Sequence, residues 1–385
     1  MLESFLELCN NKINNNYKNK ELLMALFEHV EFDQHEKVSF FHDKETGLKA
    51  IVSIHNTNLG PALGGCRMWD YASEEEAIND VLRLSRGMTY KAAVAGLPLG
   101  GGKSVVIGDA KSTKTPDLMR ALGRAVNSLG GRYIVAEDVG VCVDDMVEVS
   151  KETDHVVGLP TTGESVGGDP SPLTAYGVFV GLKTTAERRL GISDLKGVKV
   201  AVQGLGNVGY NLCKFLAEAG AELYITDVQA DKIQQGVDEL GATAVALNEI
   251  YSQDVDIFSP CALGAIINDD TIKQLKAKVI AGAANNQLAQ ARHGDVLAGL
   301  NILYAPDYVI NAGGLINVYY EQQAKIGSGN YSKDEVRKHI ESIQDTLNDI
   351  YTLSEQDKIA TSLAADRLAE SRFLKKNDIL ADQAA

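Results

Sequence analysis

Val198-Lys199-Val200-Ala201-Val202-Gln203-Gly204-Leu205-Gly206-Asn207-Val208-Gly209 is the stretch that decides the fold. The apolar run from Val198 to Val202 reads as a buried strand, and the glycine series follows it at once and opens a helix through Ala219. Gly204 suits the tight turn out of the strand. Gly206 lets backbone approach a phosphate, and Gly209 lets helix and strand pack closely. With Asn207 and Val208 in the first turn, the helix offers unpaired amides and its positive dipole end, so the pattern predicts a pyrophosphate seat. Ala221 to Thr226 reads as the next strand and ends in Asp227, 18 residues beyond Gly209. A carboxylate there binds both ribose hydroxyls and repels a 2′-phosphate, and no arginine follows within the next few residues. The cofactor expected is therefore NAD rather than NADP.

Further strands are expected at Ala242 to Leu247, Ile257 to Ser259, Val279 to Gly282 and Leu303 to Ala305. Together they predict a Rossmann-like, doubly wound parallel sheet over residues 170–331. Residues 332–385 read as helices that pack back on the first domain. Upstream, the stretch from Gly158 to Pro172 holds four glycines and three prolines and reads as an interdomain hinge. Pro172 then suits the first turn of a helix capped by Ser171 and running to about Leu190.

Residues 1–160 form a separate α/β unit. Val38 to His42 and Leu48 to His55 read as paired strands, Ser104 to Ile107 and Tyr133 to Ala136 as two more. Ser73 starts a helix with Glu74, Glu75 and Glu76 in its first turn, and Ala77, Val81, Leu84 and Met88 recur at helical spacing. Pro116 to Leu129 and Val143 to Ser150 complete the helices. Within this unit stand two lysines twelve positions apart, Lys91 and Lys103, the second directly after Gly100-Gly101-Gly102. Lysine is seldom buried without a partner, and a glycine run lets backbone turn tightly beside a ligand. The pair suggests a carboxylate site with one lysine free for chemistry; read alone, the same residues also fit a glycine turn with two solvated lysines. Joined to a hydride acceptor, they point to NAD-linked oxidation at a carbon next to a carboxylate.

The bulk properties agree. The chain has 385 residues, 45% of them hydrophobic and 23% charged, ordinary for a water-soluble protein of two domains. A net charge of −15 argues against nucleic acid or an anionic membrane as partner. No signal peptide and no membrane-spanning run is apparent, and the five scattered cysteines, none in a CxxC pair, fit reduced thiols in a cytoplasm rather than disulfides or a zinc site. No metal-ligand cluster stands out.

Several segments carry a family likeness: Leu59 to Trp69, Gly100 to Lys103, Ala136-Glu137-Asp138-Val139-Gly140, Asp169 to Gly177, Ala283 to Leu288 and Ala305 to Gly314. In this order they resemble the glutamate, leucine, phenylalanine and valine dehydrogenases, most nearly the leucine-specific branch, from about Asn58 to Glu370. The resemblance implies reversible oxidative deamination of an L-amino acid to its 2-oxo acid and ammonia. It implies that Lys91 binds the substrate carboxylate, Lys103 is the general base, Asp138 shuttles the proton at the amino group, and Thr174 and Asn285 contact the nicotinamide end of NAD. It also implies a homo-oligomer, octamer or dimer, with residues 1–160 carrying substrate binding, catalysis and assembly. A base lysine in a closed cleft beside a second cation is expected to have its pKa drawn down by roughly 2–3 units. Asp138 also fits a helix cap after a strand, and Arg67 an ion-pair partner outside the catalytic set.

By the same resemblance the substrate side chain meets Leu63, Gly64, Ala136, Leu315 and Val318, all apolar or small. Glutamate is disfavoured, because an unpaired distal carboxylate beside Leu63 costs several kcal/mol, on the order of a buried unpaired polar group. Leucine, isoleucine and valine fit best. Leu315 is larger than the valine of the leucine-specific branch, which tilts the pocket toward valine or shorter chains by about 1–3 kcal/mol per methylene. Two other readings stand: a phenylalanine or tryptophan dehydrogenase with a roomier pocket, and a non-catalytic amino-acid sensor, for which Lys103 and Asp138 would have no use. The segment Val318 to Tyr331, the asparagine-rich N-terminus and the tail after Phe373 depart from the family pattern.

Overall fold

The structure, a computed structural model, describes residues 26–160, 169–329 and 331–374. The core of the expected hinge (161–168), the asparagine-rich stretch 10–20 and the tail beyond 374 lie outside the described residues.

The first sheet has five strands: β1 (Lys37–Asp43), β2 (Leu48–Asn56), β3 (Ala62–Trp69), β4 (Gly100–Ile107) and β5 (Tyr133–Glu137), in the order β1-β2-β4-β3-β5. β1, β2 and β4 pair antiparallel, while β3 runs parallel to both β4 and β5. β3 was not expected from the sequence. Its two central glycines lower strand propensity, and its conformation comes from being held between two partners. The expectation of a glycine turn before Lys103 is also corrected, since Gly100 to Gly102 lie inside β4. A Cβ on Gly101 would fall on the Thr89 backbone nitrogen, and one on Gly102 would come within 2.7 Å of the Tyr133 ring. The glycines thus let a helix and an aromatic ring lie directly on the strand.

That helix, α1 (Glu74–Val94), starts where Ser73 Oγ accepts from Glu76 N at 3.1 Å, a side-chain cap reinforced by three first-turn glutamates. It carries Lys91 in its last turn. Two shorter helices, α2 (Pro116–Asn127) and α3 (Val143–Ser150), cover the other face of the sheet with Met119, Leu122, Met146 and Val149.

α4 (Ser171–Leu190) leads into the second sheet. Ser171 is its first helical residue rather than its cap: Pro170 holds the cap position, and Asp169 Oδ1 accepts from Ser171 N at 2.9 Å. The sheet comprises β6 (Lys199–Gln203), β7 (Glu222–Thr226), β8 (Thr243–Ala244), β9 (Ile257–Pro260), β10 (Val279–Ile280) and β11 (Leu303–Tyr304). Its order is β11-β10-β9-β6-β7-β8, with every pair parallel. α5 (Asn207–Glu218), α6 (Ala230–Leu240) and α7 (Arg292–Gly299) connect the strands. Three strands are shorter than expected: β8 pairs over two residues where six were expected, and β10 and β11 over two each. The strand order reverses at β6, so its C-terminal end is the switch point where such sheets bind ligands.

The chain then forms α8 (Asp307–Ile310), α9 (Gly313–Lys325), α10 (Lys333–Glu341), α11 (Ile343–Asp357) and α12 (Thr361–Phe373). α10 and α11 pack on α4, and α12 returns to α1. The last carbonyls of α1 are paired by this returning segment. Arg372 Nη1 donates to Val94 O at 2.8 Å and to Ala93 O at 3.1 Å, Thr346 Oγ1 donates to Val94 O at 3.3 Å, and His339 Nε2 lies 2.7 Å from Ala95 O. Among the described residues, no helix is long and apolar enough to cross a membrane.

Candidate active site

A cavity of about 420 Å³ opens between the two sheets. It is lined by Leu63, Ala136, Leu315 and Val318, by Lys91, Lys103 and Asp138, and by Asn285. Eight of the sequence-expected residues therefore meet in one place, although they come from six regions of the chain.

Strand alternation decides which β3 residues take part. Leu63, Gly65 and Arg67 face the cavity. Gly64 faces away from it, and a Cβ there would fall on the Gly102 carbonyl. Gly64 is therefore a close-packing residue, and Gly65 takes the place expected for it. A Cβ on Gly65 would stand 2.8 Å from Asp138 Cβ and 3.3 Å from Lys103 Nζ, so the missing side chain leaves room for that pair.

Lys103, 6% exposed on β4, donates from Nζ to Asp138 Oδ2. Asp138 follows β5 in a turn closed by Val141 N on its carbonyl at 2.9 Å. Burial pushes the Asp138 carboxyl up, but the Lys103 and Arg67 charges outweigh it and hold the group below the usual carboxylate range. Arg67 Nε lies 3.5 Å from Asp138 Oδ2, and its Nη1 donates to Asp80 Oδ2 at 2.8 Å.

The pKa of Lys91 falls to about 8. Burial is the main cause and the Lys103 charge adds to it, while Asp307 and Asp138 pull the other way. Asp307, at the head of α8, is a residue the sequence reading left without a role. It is 7% exposed, lines the cavity, and accepts from Gln287 N at 2.9 Å and Tyr308 N at 2.7 Å. Burial raises its pKa despite those amides and Lys91. Its bond to Gln287 N ties down the turn at Asn286, whose φ of +52° is unusual for a residue with a side chain. Asn285, one residue earlier, accepts at Oδ1 from Asn311 Nδ2 at 2.8 Å.

The glycine loop after β6 divides its labour. Gly204 has φ +98°, and a Cβ there would come 2.8 Å from Ala262 Cβ. A Cβ on Gly209 would fall on the Gly204 carbonyl. A Cβ on Gly206 would meet nothing within 4 Å, so it would project into the space above the α5 N-terminus. No side chain caps α5, whose first turn is Asn207 and Val208. Asp227 accepts from Leu205 N at 2.6 Å and Gln229 N at 2.9 Å, just beyond β7. Open space over uncapped amides, with a carboxylate at the neighbouring strand end, fits a dinucleotide. Thr174 stands apart from the cavity lining; its hydroxyl donates to Pro170 O at 3.1 Å, beside Gly314.

A lysine–aspartate pair in the cavity and a glycine loop at the switch point of the second sheet fit a two-domain dehydrogenase. The comparisons carry this further. A profile described as the Glu/Leu/Phe/Val dehydrogenase dimerisation domain matches residues 35–155, and the glutamate/leucine/phenylalanine/valine dehydrogenase profile matches 169–229 and 225–378. The chain belongs to the Glu/Leu/Phe/Val dehydrogenase family and is an amino-acid dehydrogenase. It is 54% identical over 353 residues to the leucine dehydrogenase of Bacillus cereus, covering 91% of this chain and 94% of that one. It is 51% identical over 351 residues to the L-tryptophan dehydrogenase of Nostoc punctiforme, covering 91% and 96%. The crystal structure of L-tryptophan dehydrogenase from Nostoc punctiforme superposes with a TM-score of 0.79 at 49% identity, over 91% of this chain and 98% of that one.

Proposed function

We propose that this chain catalyses the NAD-dependent, reversible oxidative deamination of a branched-chain aliphatic L-amino acid, leucine, isoleucine or valine, to its 2-oxo acid and ammonia. The observation that carries the reading is one cavity in which Leu63, Ala136, Leu315 and Val318 share the lining with Lys91, Lys103 and Asp138. The apolar residues suit an aliphatic side chain and the lysines an α-carboxylate. The 54% identity to a leucine dehydrogenase supports the same substrate class.

In this reading Lys91 pairs with the carboxylate and fixes the substrate for reaction at Cα. NAD, held at the glycine loop, would supply the acceptor for the Cα hydride. Lys103 takes the proton of the water that adds to the resulting iminium carbon, and Asp138 carries the proton that the departing amine requires. Overall, amino acid, NAD and water yield 2-oxo acid, ammonium, NADH and a proton. Gly204, Gly206, Asn207, Val208 and Gly209 seat the pyrophosphate. Asp227 takes the ribose hydroxyls and selects NAD over NADP, and Thr174 and Asn285 serve the nicotinamide end. Residues 1–160 form the catalytic and assembly domain of a cytoplasmic homo-oligomer, and Cys66 and Cys142 there, like Cys213 and Cys261 in the second domain, are free thiols.

The experiment is NADH formation across a panel of L-amino acids at alkaline pH. Turnover led by leucine, isoleucine or valine is the expected result. A second reading, an aromatic substrate, draws on the 51% identity to a tryptophan dehydrogenase. Turnover led by tryptophan or phenylalanine selects it, and NAD binding without turnover of any amino acid overturns both.

A further inference from the structure

Arg67 lines the cavity from β3, two residues beyond Gly65, and has been given no part in substrate or dinucleotide binding. Its Nη1 is bonded to Asp80 of α1 at 2.8 Å. Asp80 is held in turn by Tyr71 Oη at 2.8 Å and by Arg83 Nη2 at 3.2 Å. The guanidinium's other edge faces the chemistry: Nε lies 3.5 Å from Asp138 Oδ2, the same oxygen that accepts from Lys103. That Nε is buried and has no hydrogen-bond partner. A brace between β3 and α1 needs only the Asp80 contact and gains nothing from a buried donor left unpaired beside Asp138.

We propose that Arg67, anchored by Asp80, is a positioning residue for the Lys103–Asp138 pair, fixing the charge and the aim of that pair while substrate protons move. The inference rests on the catalytic reading given above. The five side chains form a row of alternating charge, Lys103, Asp138, Arg67, Asp80 and Arg83, running from the cavity to the flank of α1. Lys91 adds a cation from the end of α1, and Glu137 an acid beside Asp138 on its own segment. In such a row each charge is felt by its neighbour, so the pair at the cavity is held and aimed from behind.

The sign of that tuning gives the test. Removing the Arg67 charge disfavours the less protonated form of the pair, and removing the Asp80 charge favours it. The ascending limb of kcat/KM against pH, measured in the deamination direction with L-leucine, therefore moves up by about 0.5–1 pH unit in Arg67→Gln and down in Asp80→Asn. Arg67→Lys keeps the limb near its native position, and the KM for NAD stays unchanged in all three. At pH values below the limb kcat/KM falls about 3- to 10-fold in Arg67→Gln, the change that a displacement of about 0.5–1 unit produces. Limbs that stay put, or that move the same way in Arg67→Gln and Asp80→Asn, reduce Arg67 to a brace between β3 and α1 and overturn the proposal, whatever activity is lost. If Arg67→Gln does not fold, as judged by circular dichroism, the Asp80→Asn limb carries the test alone and must still move down. Native protein that makes no NADH from any amino acid overturns the catalytic reading itself. Native turnover with unmoved limbs overturns only the role of Arg67.

Discussion

Two glycine-rich stretches, Gly100–Gly102 and Gly204–Gly209, look alike as sequence and are opposite as structure. The first is extended strand from end to end; the second turns through φ +98° at Gly204 and starts a helix. Both remove a Cβ where another backbone comes close, Thr89 in one case and the Gly204 carbonyl in the other. Only the second also leaves a glycine, Gly206, facing open space. Glycine reports close approach in both, and only a neighbouring strand, helix or ligand decides what approaches.

The largest effect expected from this contrast is on chemistry. Lys103→Ala, at the end of the first stretch, lowers turnover roughly 10²–10⁴-fold, the usual share of a general base, and leaves NAD affinity nearly unchanged in a binding titration. Loss of NAD binding instead would show that the domain roles are reversed. Next come the glycines themselves. Gly101→Ala forces a methyl onto Thr89 and lowers unfolding free energy by at least about 1–3 kcal/mol in a denaturant titration. Gly206→Ala leaves the melting temperature nearly as it is, because no protein atom lies in the way, but weakens NAD. Equal melting temperatures for the two variants would break the comparison.

Asp227→Ala weakens NAD roughly 10- to 100-fold, the worth of hydrogen bonds to a charged group, and raises the share of turnover with NADP. An unchanged cofactor ratio removes Asp227 from selectivity. The smallest effect concerns Lys91. With its pKa lowered to about 8, the free lysine loses its proton as pH rises through that value, and a bound carboxylate favours its return. Binding of a branched aliphatic carboxylate without an amino group therefore takes up a fraction of a proton above pH 8 and none at pH 6. Calorimetry in buffers of different ionisation enthalpy reads this directly, and equal proton uptake at both pH values places the carboxylate elsewhere.

The second sheet was legible because its evidence is local: an apolar strand, glycines at fixed spacing and an acid at the next strand end all lie within thirty residues. The first sheet was legible only in part. β3 carries no strand signal of its own, and without it neither the alternation that brings Gly65 rather than Gly64 to the cavity nor the reach of Arg67 follows. Lys91, Lys103 and Asp138 were visible as residue types in a family pattern. That Lys91 has its pKa lowered was not, because the lowering comes from burial in the folded cleft. Asp307 itself reads as the start of a short helix and reveals its part only through the amides it accepts. The strands at β8 and β10 are shorter than their apolar runs, because such runs mark burial at β10 and neither burial nor extended pairing at the largely exposed β8.

The helix that bears Lys91 is finished by residues at the far end of the chain: Arg372 reaches Ala93 across 279 positions. Until α10, α11 and α12 arrive, the last carbonyls of α1 lack these partners, so the first domain emerges from the ribosome before the segment that completes it. Contacts of such sequence separation close late and slowly. A nascent chain therefore exposes an unfinished helix end until α12 has been made, a period in which a two-domain chain is open to misassembly. The clamp on α1 thus ties the helix that bears Lys91 to three helices that are made more than two hundred residues after it.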